Sequence, residues 1–286
     1  MERSCALRSF NNFETELNEH FWSFKVISEY SRFVAQQEKD KIPTQSTRSV
    51  FNASGPDARR IPPTVSDWLA ARGELENWLR AAALVSAAAF HETYLRQIAR
   101  CALMSNPLVR HGLSKQLDGV HLLKKGREIA FEEELKNVTK GDWSSRRTAF
   151  GKLFGEPDEA AFPIKKLEAI RKIRNNFAHG FGRDLDVPSP IEMNTEEAQR
   201  LCQKTFMSYM AVLSKSAAAI DELLLKEHIG SFELLYAYHQ WRQLPRKGKE
   251  SRYSEERAFQ RYVAGSLKLF KSTEYCGELI LFYKQT

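Results

Sequence analysis

Apolar residues recur every three or four positions along most of this chain. That period, close to the 3.6 residues of a helical turn, constrains the fold more than any other feature. Between positions 10 and 37 the series Phe13, Leu17, Phe21, Phe24, Ile27, Tyr30 and Val34 marks one face of a helix. Trp68, Leu75, Trp78, Leu79, Ala82, Val85 and Ala89 mark a second. It runs from a cap at Thr64 or Ser66 to about Met104, and Asn106-Pro107 stops it. The alanines between Ala81 and Ala89 remove side-chain bulk and let a neighbouring helix come close. Shorter helices are expected over 128–137 and 143–154. Pro163 suits a first helical turn, where its missing N–H costs nothing, and Ile164, Leu167, Ile170, Ile173 and Phe177 give that helix its apolar face until Gly180 and Gly182 end it. Asn194 or Thr195 caps the next helix, with Glu196 and Glu197 in its first turn; it continues through Phe206, Met210, Leu213, Ala217 and Ile220 to about Lys226.

A further helix is expected over 231–244 and a basic amphipathic one over 254–270, while the apolar run 277–283 reads as a candidate short β-strand. Periodicity is lost between Asp40 and Thr64, where Pro43, Gly55-Pro56 and Pro62-Pro63 sit among Ser, Thr and Asn. The expected fold is all-α, an antiparallel bundle of long helices with a short β element near the C-terminus. The expected organisation is an N-terminal helix and Pro/Ser-rich linker over 1–63, a helical bundle over 64–244 and a basic extension over 245–286.

Composition excludes several function classes. With 42% hydrophobic and 28% charged residues the chain is that of a globular protein, and no stretch approaches the ~20 apolar residues that cross a bilayer. The first residues lack the continuous apolar core of a secretion signal, so a cytoplasmic protein without a membrane partner is expected. Cys5, Cys101, Cys202 and Cys276 lie far apart, which removes support for zinc fingers, redox pairs and a disulfide framework. His91, His111, His121, His228 and His239 form no HExxH pattern, and Walker, GxGxxG and GxSxG motifs are missing. No metal and no cofactor is expected.

The formal charge of +7 is unevenly placed. Nine basic residues against three acids lie between Arg242 and Lys271, and six against Glu168 between Pro163 and Arg183. Such clusters favour a polyanionic partner through counterion release. Trp143, Tyr236, Tyr238, Trp241 and Tyr253 lie in or near the basic segments, where aromatic rings either stack on bases or pack into a core.

Chemistry concentrates in Arg171-Lys-Ile-Arg174-Asn175-Asn176-Phe177-Ala178-His179-Gly180. Positions five apart on an α-helix differ by about 140° around the axis. Arg174 and His179 therefore share a face only if the helix ends or loosens at Ala178–His179, which Gly180 permits. A histidine with an ordinary pKa of ~6.5 exchanges protons near neutrality, and an arginine holds two phosphate oxygens at once. With Asn175 as polar neighbour, the pair suits RNA cleavage by the RNA's own 2′-hydroxyl. Plainer readings stand beside this one: His179 as a helix C-cap, Arg174 as a surface partner of Glu168 or Asp184, Asn175 as a solvated residue.

The block resembles the Arg-polar-x-x-x-His signature of the HEPN superfamily. The upstream stretch Ala87-Ala-Ala-Phe90-His91-Glu92-Thr-Tyr94-Leu95-Arg96 is similar to an earlier bundle helix of several HEPN families, in which an acidic residue points at the motif arginine. The resemblance spans about 67–226. It implies a metal-independent endoribonuclease, of toxin or antiviral-defence type, whose site forms across a homodimer. It also implies RNA as substrate, an antitoxin or regulatory protein as a further partner, catalytic roles for Arg174 and His179, and supporting roles for Asn175 and Glu92. Glu92 is equally placed for an intrahelical pair with Arg96. The rival classes are a HEPN-like module that binds RNA or a nucleotide without cutting, and a bundle that serves only dimerisation or partner docking.

Overall fold

A computed structural model describes residues 3–41, 44–106, 119–126, 129–180, 200–244 and 253–286; the side chains of 40, 41 and 178–180 also lie outside the description. The fold is all-α, an 80% helical bundle with eleven α-helices and no strand among the described residues. In chain order they are α1 (Cys5–Lys41), α2 (Thr47–Val50), α3 (Val65–Ser105), α4 (Gly119–Lys124), α5 (Glu132–Thr139), α6 (Trp143–Phe154), α7 (Ile164–Gly180), α8 (Gln203–Leu224), α9 (Phe232–Gln243), α10 (Glu255–Ser266) and α11 (Thr273–Gln285). Among the described residues no helix is long and apolar enough to cross a membrane.

Side-chain caps fix where some of these helices begin. Thr64 caps α3: its hydroxyl accepts the Asp67 N–H at 3.1 Å and donates to the Asp67 carboxylate at 2.8 Å. Asp142 caps α6 by accepting the Ser145 N–H at 2.9 Å. The loop between α1 and α3 is tied at its base, with Thr47 N–H donating to Pro63 O at 3.1 Å and Val65 N–H to Gln45 O at 3.0 Å.

Three expectations need correction. The run 277–283 is α-helix, not strand. Cys276, Leu279, Ile280 and Tyr283 recur at helical spacing and are buried, Leu281 and Phe282 are exposed, and Ser272 caps the helix by accepting the Tyr275 N–H at 3.1 Å. Residues 200–202 are not helical, and α8 starts at Gln203. Side chains of α3 take the backbone there: Asn77 accepts the Leu201 N–H at 2.8 Å, and Arg80 donates to Leu201 O at 2.7 Å. The expected cap at Asn194 or Thr195 lies outside the described residues. On α1, Ile27 and Tyr30 are 63% and 70% exposed, so the apolar stripe there is only partly a core face.

Contacts divide the chain into two units. The first comprises 1–10, 91–164 and 214–286. Its centre holds Tyr94, Ile98, Phe150, Phe162, Tyr238 and Phe259, all fully buried. The C-terminal helices close on α9 here, with the Tyr238 ring edge-on to Phe259 at 5.1 Å and to Tyr283 at 5.0 Å. The second unit comprises 11–90 and 165–213. Phe21 packs on Phe206 at 4.9 Å and Phe13 stacks on Phe90 at 4.6 Å. An ion network ties its α1 and α3 segments: Glu76 binds Lys25 at 3.0 Å and Arg72 at 2.7 Å, and Arg72 donates to Ser28 O at 3.0 Å.

Candidate active site

The basic helix α7 belongs, from Lys165 onward, to the second unit. Leu167 and Ile170 bury its inner face, and Lys165, Lys166 and Lys172 stand exposed. Near its end Phe177 meets the Trp78 ring of α3 at 6.1 Å, which anchors the turn that carries Arg174. Arg174 and Asn175 are both half-buried, at consecutive positions. Glu168, an alternative partner for Arg174 on sequence grounds, is bound by Arg171, whose Nε lies 2.9 and 3.0 Å from the two carboxylate oxygens.

The expected loosening at Ala178–His179 is not found, because the helical backbone extends through Gly180. Positions 174 and 179 thus keep the helical offset of about 140°. The His179 side chain lies outside the described residues, as do Asp184 and Gly182.

Glu92 belongs to the first unit. There its carboxylate oxygen accepts hydrogen bonds from both terminal nitrogens of Arg146, each at 3.1 Å. Arg146 is 3% exposed, lies over the Trp143 ring at 4.4 Å and donates from Nε to Gly141 O at 3.1 Å. Arg96, the other partner open to Glu92, binds Glu132. Beside this pair His91 is fully buried. Burial, and then the charge of Arg146, lower its pKa to about 3, so the ring is neutral. Its Nε2 meets Ser216 Oγ at 3.2 Å, and Ser216 donates to Ala161 O at 2.5 Å. The hydroxyl and the imidazole are sealed from solvent, and His91 Nδ1 is left buried without a hydrogen-bond partner.

Arg146 escaped the sequence reading although a signal was present. Trp143, Arg146, Phe150 and Phe154 form the buried face of α6, so a charged residue occupied an apolar position of the helical repeat and required a buried partner. Of the aromatic residues near basic segments, Trp143, Tyr238 and Trp241 are buried, whereas Tyr236 and Tyr253 are exposed. Comparison with protein-family models, with characterised proteins and with solved structures found no match.

Proposed function

We propose that this protein is a metal-independent endoribonuclease whose working site combines Arg174 and His179 from two copies of the chain. The observation that carries the reading is the placement of Arg174: half-buried beside Asn175 on a basic helix, one turn before the Phe177–Trp78 ring contact. An arginine there suits a scissile phosphate, since its guanidinium stays charged and can hold two phosphate oxygens at once. The 2′-hydroxyl proton passes to one imidazole as the 2′-oxygen bonds to phosphorus. The bond from phosphorus to the 5′-oxygen breaks, and that oxygen gains a proton from the second imidazole. The products are a 2′,3′-cyclic phosphate and a 5′-hydroxyl. Asn175 serves as polar support. Glu92, whose carboxylate Arg146 holds, enters as a support within its own unit.

Two features favour a twofold assembly. The unbroken helix keeps positions 174 and 179 on different faces, so a second copy is the simpler source of the facing imidazole. The second unit also exposes Trp22, Val26, Ile27, Tyr30 and Phe33 on α1, with Leu75 and Trp78 on α3. Such an activity needs restraint, which suits a toxin or antiviral-defence effector held by an antitoxin or regulatory protein.

The deciding assay follows labelled RNA with EDTA present. Cleavage that resists EDTA and falls at least ~10²-fold in His179→Ala and Arg174→Ala, with binding retained in His179→Ala, supports the enzyme. RNA retained without cutting replaces it by the binding module. Neither effect, with a protein partner co-purifying, replaces it by a docking bundle.

A further inference from the structure

In the first unit α10 and α11 pack together and are joined by a short turn around residues 267–271. Ala258, Phe259 and Val263 bury the inner face of α10, and Cys276, Leu279 and Ile280 that of α11. The turn between them does the opposite. Phe270 is 86% exposed, the highest value among the large apolar side chains described.

The turn that presents this ring is closely held. Val263 O accepts the N–H groups of Leu267 and Leu269, at 3.1 and 3.2 Å. Arg8 Nη1 donates to Leu267 O at 2.9 Å and to Lys268 O at 3.5 Å. The Gln260 amide nitrogen donates to Lys271 O at 2.7 Å, and its oxygen accepts the Thr273 hydroxyl at 2.9 Å. Lys268 stands at φ +54°, a left-handed conformation that a residue with a side chain rarely adopts unless its surroundings hold it there. The carbonyls of the turn are thus bonded inward while its aromatic ring points outward. A water-poor phase demands that arrangement, because an N–H or C=O entering it finds no solvent to bond.

Charge adds a second requirement. From Arg257 to Thr273 the chain carries four cations, Arg257, Arg261, Lys268 and Lys271, and no acid; Glu274 is the first. Arg257, Arg261 and Lys268 are exposed. Glu255, at the start of α10, is engaged by the Tyr238 hydroxyl at 2.8 Å and by Lys284 at 2.7 Å.

We propose that the α10–α11 turn is a membrane-contact site that seats Phe270 in the headgroup layer of an anionic lipid bilayer. The bilayer meets both requirements at once, with anionic headgroups for the cations and an apolar boundary directly beneath for the ring. A nucleic acid supplies the charge, but its bases stack on rings that the protein backs, and a ring this exposed has little backing. Hydropathy along a chain detects only segments that span, so a surface contact of this kind leaves no mark there.

Cosedimentation of the full chain with sucrose-loaded vesicles tests this, using phosphatidylcholine alone and a mixture with about 30% phosphatidylserine. The expected result is binding to the anionic vesicles only, reversed in about 1 M salt, where the Debye length shrinks to ~3 Å. Phe270→Ala should weaken binding about tenfold. Lys268→Gln with Lys271→Gln should weaken it roughly twentyfold, at about fivefold per cation. Circular dichroism should show both variants folded, as expected for side chains at a surface turn. No pelleting at millimolar lipid overturns the proposal. So does equal binding to neutral vesicles, or Phe270→Ala binding like the wild type. Retention of a 2′-O-methyl RNA that falls in both variants, with vesicles left unbound, assigns the face to nucleic acid and overturns it as well. RNA cleavage enters none of these readouts, so the nuclease reading and this one fail separately.

Discussion

Replacing Arg146 by methionine tests the most consequential contact that the fold created. The substitution keeps an unbranched side chain against Trp143 but removes both hydrogen bonds to Glu92, at 3.1 Å each, and the one to Gly141 O. The Glu92 side chain is only 22% exposed, so its carboxylate would remain largely desolvated without the guanidinium. Breaking such a pair costs ~3–5 kcal/mol when burial is complete, and the partial exposure of Glu92 places Arg146→Met near the lower end, about 3 kcal/mol. At roughly 2–3 °C per kcal/mol for a chain of this size, Tm falls by about 6–9 °C. Adding Glu92→Leu removes the stranded charge and should restore most of the loss. Thermal melts followed by far-UV circular dichroism read both variants. A single variant within about 1 kcal/mol of wild type, or a double variant no more stable than the single, refutes the pairing as a structural element.

Glu76→Gln should destabilise the protein by about 1–2 kcal/mol at pH 7, as expected for hydrogen bonds to a charged group. Although burial would raise its pKa, the contacts of Glu76 with Lys25, Arg72 and Ser28 hold it below the usual 4.5. A depressed folded pKa gives stability that is present above 4.5 and is lost as the pH falls through the folded value, so the gap between wild type and variant should close in that acid range, read by urea titration at each pH. A gap independent of pH contradicts the charge argument. Cys202 should alkylate first among the four cysteines. It is exposed, and the Thr205 hydroxyl at 3.1 Å and backbone N–H groups lower its pKa, whereas burial raises those of Cys5, Cys101 and Cys276. Peptide mass spectrometry after a short iodoacetamide pulse gives the order. Val26→Asp with Tyr30→Asp, at positions 71% and 70% exposed, should leave the fold intact and convert a dimer to a monomer in light scattering, with loss of RNA cleavage. A wild-type protein that is monomeric at micromolar concentration, or a charged variant that still cuts RNA, removes the two-copy site.

The sequence by itself determined what depends on neighbours along the chain. Helical periodicity located the long helices, and the side-chain oxygens of Thr64 and Asp142 set where α3 and α6 begin, because a cap bonds within its own first turn. The Arg174–Asn175 juxtaposition was legible for the same reason. Periodicity also misled where composition masked it: the apolar run in α11 suggested a strand until burial at helical spacing separated Ile280 and Tyr283 from Leu281 and Phe282. Only the tertiary structure decided which partners meet across distance. Arg146 lies 54 residues from Glu92, and Leu201 lies 124 from the Asn77 that interrupts helix there. An apolar stripe announces a face but not its cover, so the exposure of Val26, Ile27 and Tyr30 could not be read from their spacing. Burial and ion pairing are properties of what packs against a residue, and a repeat along one helix carries no record of its neighbour.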